Sequence, residues 1–188
     1  MLGKKQQKKN EFVTKHSSGF TLIELLVVIS VISLLSSILL VQVKNSRIAA
    51  RNSKRIQDLT ALIKAFNFSL TDGKTIPSTL SDSDQMACVS SSCEGGVLPL
   101  NQDPAVLSFL SPYITSYPVD PKDSTRFLTG YLFNSDYPGT LSAYNGVVIP
   151  PGPVIIVMLE HTPNPPNCGL GTLWEYDSSF TICGASIH

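Results

Sequence analysis

No proline occurs before Pro77, and no glycine lies between Gly19 and Gly73. These are the residues that most readily break a helix interior, so their absence leaves room for one unbroken helix of some fifty residues, ~75 Å at 1.5 Å per residue. Charge is sparse, at 15% of residues, and the chain has 3 histidines and 1 tryptophan. It contains no Gly-x-Ser-x-Gly, no His-Glu-x-x-His and no Walker loop, which excludes the hydrolase, metalloprotease and nucleotide-binding classes those motifs mark. His161 stands in Pro-rich surroundings and reads as a surface residue rather than a general base. No enzyme activity is assigned.

What the chain does have is one long apolar run. Phe20 to Val43 carries a single formal charge, Glu24, and exceeds the roughly 20 apolar residues that a membrane-spanning helix needs. A carboxylate in such a helix costs roughly 2.5–3.5 kcal/mol near mid-span, so Glu24 requires either a partner or a shallow position. Ser30, Ser33 and Ser37 fall on one helical face. They permit close helix approach, or bond their hydroxyls to the preceding turn.

The net charge of zero conceals an asymmetry, because residues 1–64 hold 11 Lys/Arg against 3 acidic residues while residues 65–188 hold 3 against 11. The basic residues flank an apolar span without an aromatic platform, which argues for lipid headgroups and against nucleic acid. Lys4, Lys5, Lys8, Lys9 and Lys15 precede the span, and Lys44, Arg47, Arg51, Lys54 and Arg55 follow it. The positive-inside rule is therefore a tie. The cysteines decide it. Cys88, Cys93, Cys168 and Cys183 all follow the span, and an even count in a loop-rich tethered domain points to disulfides in an oxidising space outside the cytoplasm. The two local pairings, Cys88 with Cys93 and Cys168 with Cys183, need the least chain rearrangement. A zinc site is disfavoured, since neither pair has the ligand spacing of a finger.

Gly19-Phe20-Thr21-Leu22-Ile23-Glu24-Leu25 resembles the cleavage and methylation site of type IV prepilins and pseudopilins. The resemblance covers residues 1 to about 70. It implies that a prepilin peptidase cuts after Gly19 and methylates the new amine of Phe20, and that Glu24 pairs with the terminal ammonium of Phe20 on an adjacent subunit. A secretory signal peptide fits less well, because its cleavage site follows the apolar region, whereas Gly19 precedes it. Many pilins kink the apolar half with a proline, and its absence here leans toward pseudopilins or a divergent pilin branch.

The expected organisation is a leader at 1–19, an assembly helix that also spans the membrane at 20–43, an amphipathic helix at 44–72 and a globular head at 73–188. Ile56, Leu59, Ile63, Phe66 and Leu70 form the stripe of the second helix, and Thr71-Asp72-Gly73 is its stop. The head reads as loop with a short helix near Ala105 to Tyr113, then strands at Arg126–Asn134, Leu141–Ile149 and Val154–Glu160. The last segment reads as a stapled loop with one hairpin. The fold class is α+β, a long helix on a small antiparallel sheet, as in pilins. Tyr117-Pro118-Val119-Asp120-Pro121 resembles the segment before the sheet in major pseudopilins and pilins, some of which bind calcium nearby. Asp120, Asp123 and Asp136 could supply hard oxygens, but ordinary turn chemistry is the stronger reading, and no cofactor is assigned.

By resemblance, the chain is a filament subunit whose partners are copies of itself, the prepilin peptidase, a membrane assembly platform and the bilayer. It is expected to cross the cytoplasmic membrane once, with its N-terminus on the inside and its head outside, and then to enter an extracytoplasmic or cell-surface filament. The alternative is a monomeric membrane-tethered extracytoplasmic binding domain that captures its ligand through exposed Tyr137, Tyr144 and Trp174.

Overall fold

The structure is a computed structural model that describes residues 19–79, 86–94, 100–121, 128–141, 146, 148–176 and 178–188. The chain divides into two units, residues 1–42 and 43–188. Helix α1, Leu22–Thr71, begins in the first and ends in the second.

In the first unit every described side chain from Phe20 to Leu40 is exposed. Leu25, Leu26, Val27, Val28 and Ile29 follow one another and are all more than half exposed, so the helix is apolar on every face. A helix of that kind needs an apolar environment around it. Its length and composition allow it to cross a membrane. The serine hydroxyls bond back into the helix: Ser30 donates to the Leu26 carbonyl at 2.7 Å, Ser33 to Ile29 at 2.7 Å and Ser37 to Leu34 at 2.8 Å. Their polarity is thus satisfied locally, and the three remain small.

In the second unit the expected stripe is the buried face of α1, with Leu59, Leu62, Ile63, Ala65 and Phe66 in the core. The helix stops where the Thr71-Asp72-Gly73 signal places it. Gly73 takes φ 76°, its N–H donates to the Leu70 carbonyl at 2.9 Å, and the Lys74 N–H donates to Ser69 at 3.1 Å. This is a Schellman cap, and glycine takes that left-handed position without steric cost.

The stripe packs on a five-stranded antiparallel sheet. Its strands are β1 (Ala87–Cys88), β2 (Tyr131–Tyr137), β5 (Gly152–Glu160), β6 (Thr172–Tyr176) and β7 (Phe180–Ser186), in the order β1-β2-β5-β7-β6. Alternation along the strands sends Tyr131, Phe133, Ile155, Val157, Leu159, Cys183 and Ala185 toward the helix. Leu132, Val154, Ile156 and Trp174 join Ile149 in a second cluster, which period-two geometry puts on the opposite face. Phe66 stacks on Phe133 with ring centroids 4.6 Å apart. A short helix α2, Pro104–Leu110, is capped by the Asp103 carboxylate, which accepts from the Ala105 N–H at 2.8 Å. It adds Val106, Phe109 and Leu110 to the same core.

Three expectations about strands need correction. The first strand begins at Tyr131 and runs on to Tyr137, because Gly130 takes φ 91° and interrupts the extended run; residues 126 and 127 lie outside the described residues. No single strand occupies Leu141–Ile149. Its described ends fall in β3 (Thr140–Leu141) and β4 (Val148–Ile149), which pair antiparallel with each other as a separate ribbon, and Gly146 between them takes φ 64°. The C-terminal segment holds the expected staple and hairpin, β6 with β7, but the hairpin is part of the main sheet. Strand β7 pairs with both β5 and β6 and so lies inside the sheet. What hid it is Gly184, a poor strand former by composition. A Cβ there would lie 2.7 Å from the Trp174 ring, so the glycine makes room for the indole.

Two disulfides close within the head, Cys88–Cys93 and Cys168–Cys183, with Cα–Cα separations of 5.8 and 5.6 Å. The second joins the turn before β6 to a sheet strand, and both its cysteines belong to the main core.

One polar contact runs through the core of this unit. Arg55 is fully buried. Its Nε donates to Asp120 Oδ1 at 2.7 Å, its Nη1 to Glu160 Oε1 at 2.7 Å and to Asn52 Oδ1 at 2.9 Å, and its Nη2 to the Pro121 carbonyl at 2.6 Å. Arg51 grips the same Glu160 carboxylate through Nε at 2.7 Å and Nη2 at 2.5 Å. Burial opposes the Arg55 charge, but the hydrogen bonds to Glu160 and Asp120 outweigh it and hold the guanidinium more firmly protonated than usual.

Two outcomes are expected. Cys183→Ser, opening a 15-residue separation, should cost about 3 kcal/mol on loop entropy alone, and Cys88→Ser about 2 kcal/mol; thermal unfolding of each variant in detergent should show the larger fall for Cys183. Arg55→Met leaves the buried Asp120 without its Arg55 counter-charge and Glu160 with Arg51 as its cation, and should cost about 3–5 kcal/mol. Adding Asp120→Asn and Glu160→Gln to that variant should return part of the loss in the urea midpoint.

Candidate functional site

The start of α1 gathers the residues that the sequence singles out. Gly19, Phe20 and Thr21 are not helical, and Phe20 is 90% exposed. The helix begins at Leu22, with Thr21 as its cap: the Thr21 carbonyl accepts the first intrahelical bond, from the Leu25 N–H at 3.3 Å. The Gly19-Phe20 bond therefore lies just outside the helix, in backbone that an enzyme can reach without unwinding it.

Thr21 and Glu24 cap the helix reciprocally. The Glu24 Oε2 atom accepts from the Thr21 N–H and from the Thr21 hydroxyl, each at 2.8 Å, and Thr21 Oγ1 accepts from the Glu24 N–H at 3.3 Å. This is a capping box, which satisfies N–H groups that have no intrahelical acceptor. Both bonds from Thr21 end on Oε2. Among the described residues nothing donates to Oε1, which leaves half of the carboxylate open for a donor from elsewhere. The Thr-x-x-Glu spacing was the sequence signal for the box, overlooked when Glu24 is weighed only as a charge in need of a partner. Its position also places negative charge at the positive end of the helix dipole, a favourable contact of roughly 0.3–1 kcal/mol.

The remaining candidates are dispersed. Asp120 is buried, and its two oxygens accept from Arg55 and from the Gly130 N–H at 2.6 Å. A guanidinium and a backbone donor thus hold the carboxylate that the sequence offers to calcium. Asp136 is exposed, Asp123 lies outside the described residues, and among the described residues no group of His, Cys, Asp or Glu has the arrangement of a metal site.

The aromatics invoked for ligand capture do not form an exposed platform. Trp174 is 7% exposed and donates its Nε1–H to Thr172 Oγ1 at 2.7 Å. Tyr137 is half-buried, with its ring 5.9 Å from that of Trp174, and Tyr144 lies outside the described residues. An open cleft beside them is lined by Val148, Pro150, Leu170, Trp174 and His188. The His161 and Tyr176 rings meet at a tilt of 31°, with centroids 5.4 Å apart.

No curated protein and no solved structure matches the chain. Residues 14–40 match the family model described as the prokaryotic N-terminal methylation motif, and the chain therefore carries, around the Gly19-Phe20 junction and the capped start of α1, the cleavage signature of type IV prepilins and pseudopilins.

Proposed function

We propose that this chain is the precursor of a structural subunit of a type IV pilus-like or type II secretion-like filament. A prepilin peptidase cleaves after Gly19, removing residues 1–19, and methylates the amine of Phe20. The subunit waits in the cytoplasmic membrane with its head outside, and an assembly platform then extracts it as its helix packs among those of its neighbours. Residues 20–43 serve as span and assembly helix, 44–72 as the amphipathic helix and 73–188 as the head.

The observation that carries this reading is the first unit of the chain. A methylation motif leads directly into a helix exposed and apolar on every face, which needs lipid before assembly and other helices after it. Within that surface stands one carboxylate, Glu24, with its Oε1 atom open. In lipid this group is costly. In a helix bundle a terminal ammonium from the next subunit would neutralise it and fix the axial register, because a charge pair in a dry environment tolerates little displacement. The Thr21 contact on Oε2 does not compete with that pairing, and it fixes where Oε1 points.

Two measurements test the reading. An intact mass of the protein from membranes should show loss of residues 1–19 plus one methyl group, whereas an uncleaved Met1 would return the tethered binding domain to first place. Glu24→Ala should insert and be cleaved yet fail to assemble; normal filaments from that variant would sink the proposed pairing.

A further inference from the structure

The first five cations after the apolar run are Lys44, Arg47, Arg51, Lys54 and Arg55, and the fold treats them unequally. Arg51 and Arg55 are held by Glu160 and Asp120, and Lys54 pairs with Asp58. These three are committed to contacts within the second unit. Lys44 and Arg47 are different. Both are exposed, and among the described residues neither makes a hydrogen bond or an ion pair. They are also the first charges after Glu24, with nineteen uncharged residues, Leu25 to Val43, in between. At 1.5 Å per residue that interval is ~29 Å, close to the ~30 Å of a bilayer's hydrocarbon core. A separation of three residues places Lys44 and Arg47 on one side of the helix.

We infer that Lys44 and Arg47 form a contact site for the phosphate groups of anionic phospholipids in the leaflet that faces the head. Long cationic side chains at the end of a span reach naturally to headgroup level. Fixed anionic charge there attracts each basic residue by about 1 kcal/mol, roughly a fivefold enrichment per residue. Among the described residues no carboxylate forms an ion pair with either cation. The three cations that follow are taken up by Glu160, Asp120 and Asp58, so of the five this pair remains for the membrane. The inference rests on the chain crossing a bilayer, and polymerisation has no part in it.

The test uses the full chain in vesicles containing phosphatidylcholine and phosphatidylglycerol, with a photoreactive phenylalanine derivative in place of Asn45, which is exposed between the two cations. The expected result is crosslinking to phosphatidylglycerol well above its share of the mixture, by roughly 25-fold at low salt if the two contributions add. Lys44→Gln with Arg47→Gln should return the ratio to the composition of the mixture. Lys64→Gln with Lys74→Gln, the same change in net charge farther along the chain, should leave the preference intact. A preference that survives the first pair, or disappears equally with the second, overturns the assignment. So does a preference abolished by inorganic phosphate but not by chloride at equal ionic strength, which would make soluble phosphate the ligand. Protein that resists carbonate extraction but shows no lipid preference overturns this contact alone; protein extracted by carbonate and crosslinked to neither lipid overturns the span as well.

Discussion

The head depends on the burial of Arg55. A guanidinium cannot be dehydrated without compensation, and its acceptors come from three parts of the chain: Asn52 on its own helix, Asp120 with Pro121 from the connection between α2 and β2, and Glu160 at the end of β5. If Asp120 is misplaced, its buried carboxylate loses its counter-charge, at a cost of several kcal/mol, and if Asn52 or Glu160 is misplaced, Arg55 loses a buried acceptor. The apolar contacts between the α1 stripe and the sheet supply attraction without direction. The ion network supplies the direction. Asn52 strengthens it by bonding in both senses with the backbone of Glu160, donating to its carbonyl at 2.8 Å and accepting from its N–H at 3.0 Å.

How far the residues alone reveal this architecture depends on the range of the interaction involved. Helix α1 was legible along its length because its signals are local: an apolar run, a stripe at helical spacing, and a glycine where the left-handed turn falls. Of the three pairings that four cysteines allow, the cost of chain closure favoured the two local ones without fixing them, and those are the two that form. Strands β6 and β7 were not legible as parts of the sheet. Their place depends on β5, whose Val157 pairs with Cys183, and on Trp174 lying over Gly184, and neither relation leaves a periodic mark. Asp120 shows the same limit. In Pro118-Val119-Asp120-Pro121 it has the composition of a turn, and only the fold reveals Arg55, 65 residues away, as its counter-ion.

At the candidate site the balance is reversed. The Gly19-Phe20 junction and Glu24 were visible because the motif is short and contiguous, and the capping box could have been seen in the same seven residues. What the geometry adds is the separate use of two oxygens on one carboxylate. Such a division allows Glu24 to stabilise its own helix and still retain an acceptor for another donor. In the filament proposed above, the helix start would then need no rearrangement on pairing with a second chain, which would keep the ordering cost of association low.

The two margins of the five-stranded sheet bear on crowding. On one side β1 contributes only Ala87 and Cys88. On the other, β6 has five residues, and its register with β7 shifts between Leu173 and Glu175. An outer strand that is long and regular invites a second sheet to continue it, whereas a very short or irregular one offers few consecutive donors and acceptors. Heads held side by side at high local concentration would therefore have little tendency to merge into continuous cross-strand aggregates, and the choice of neighbour is left to surfaces other than the backbone.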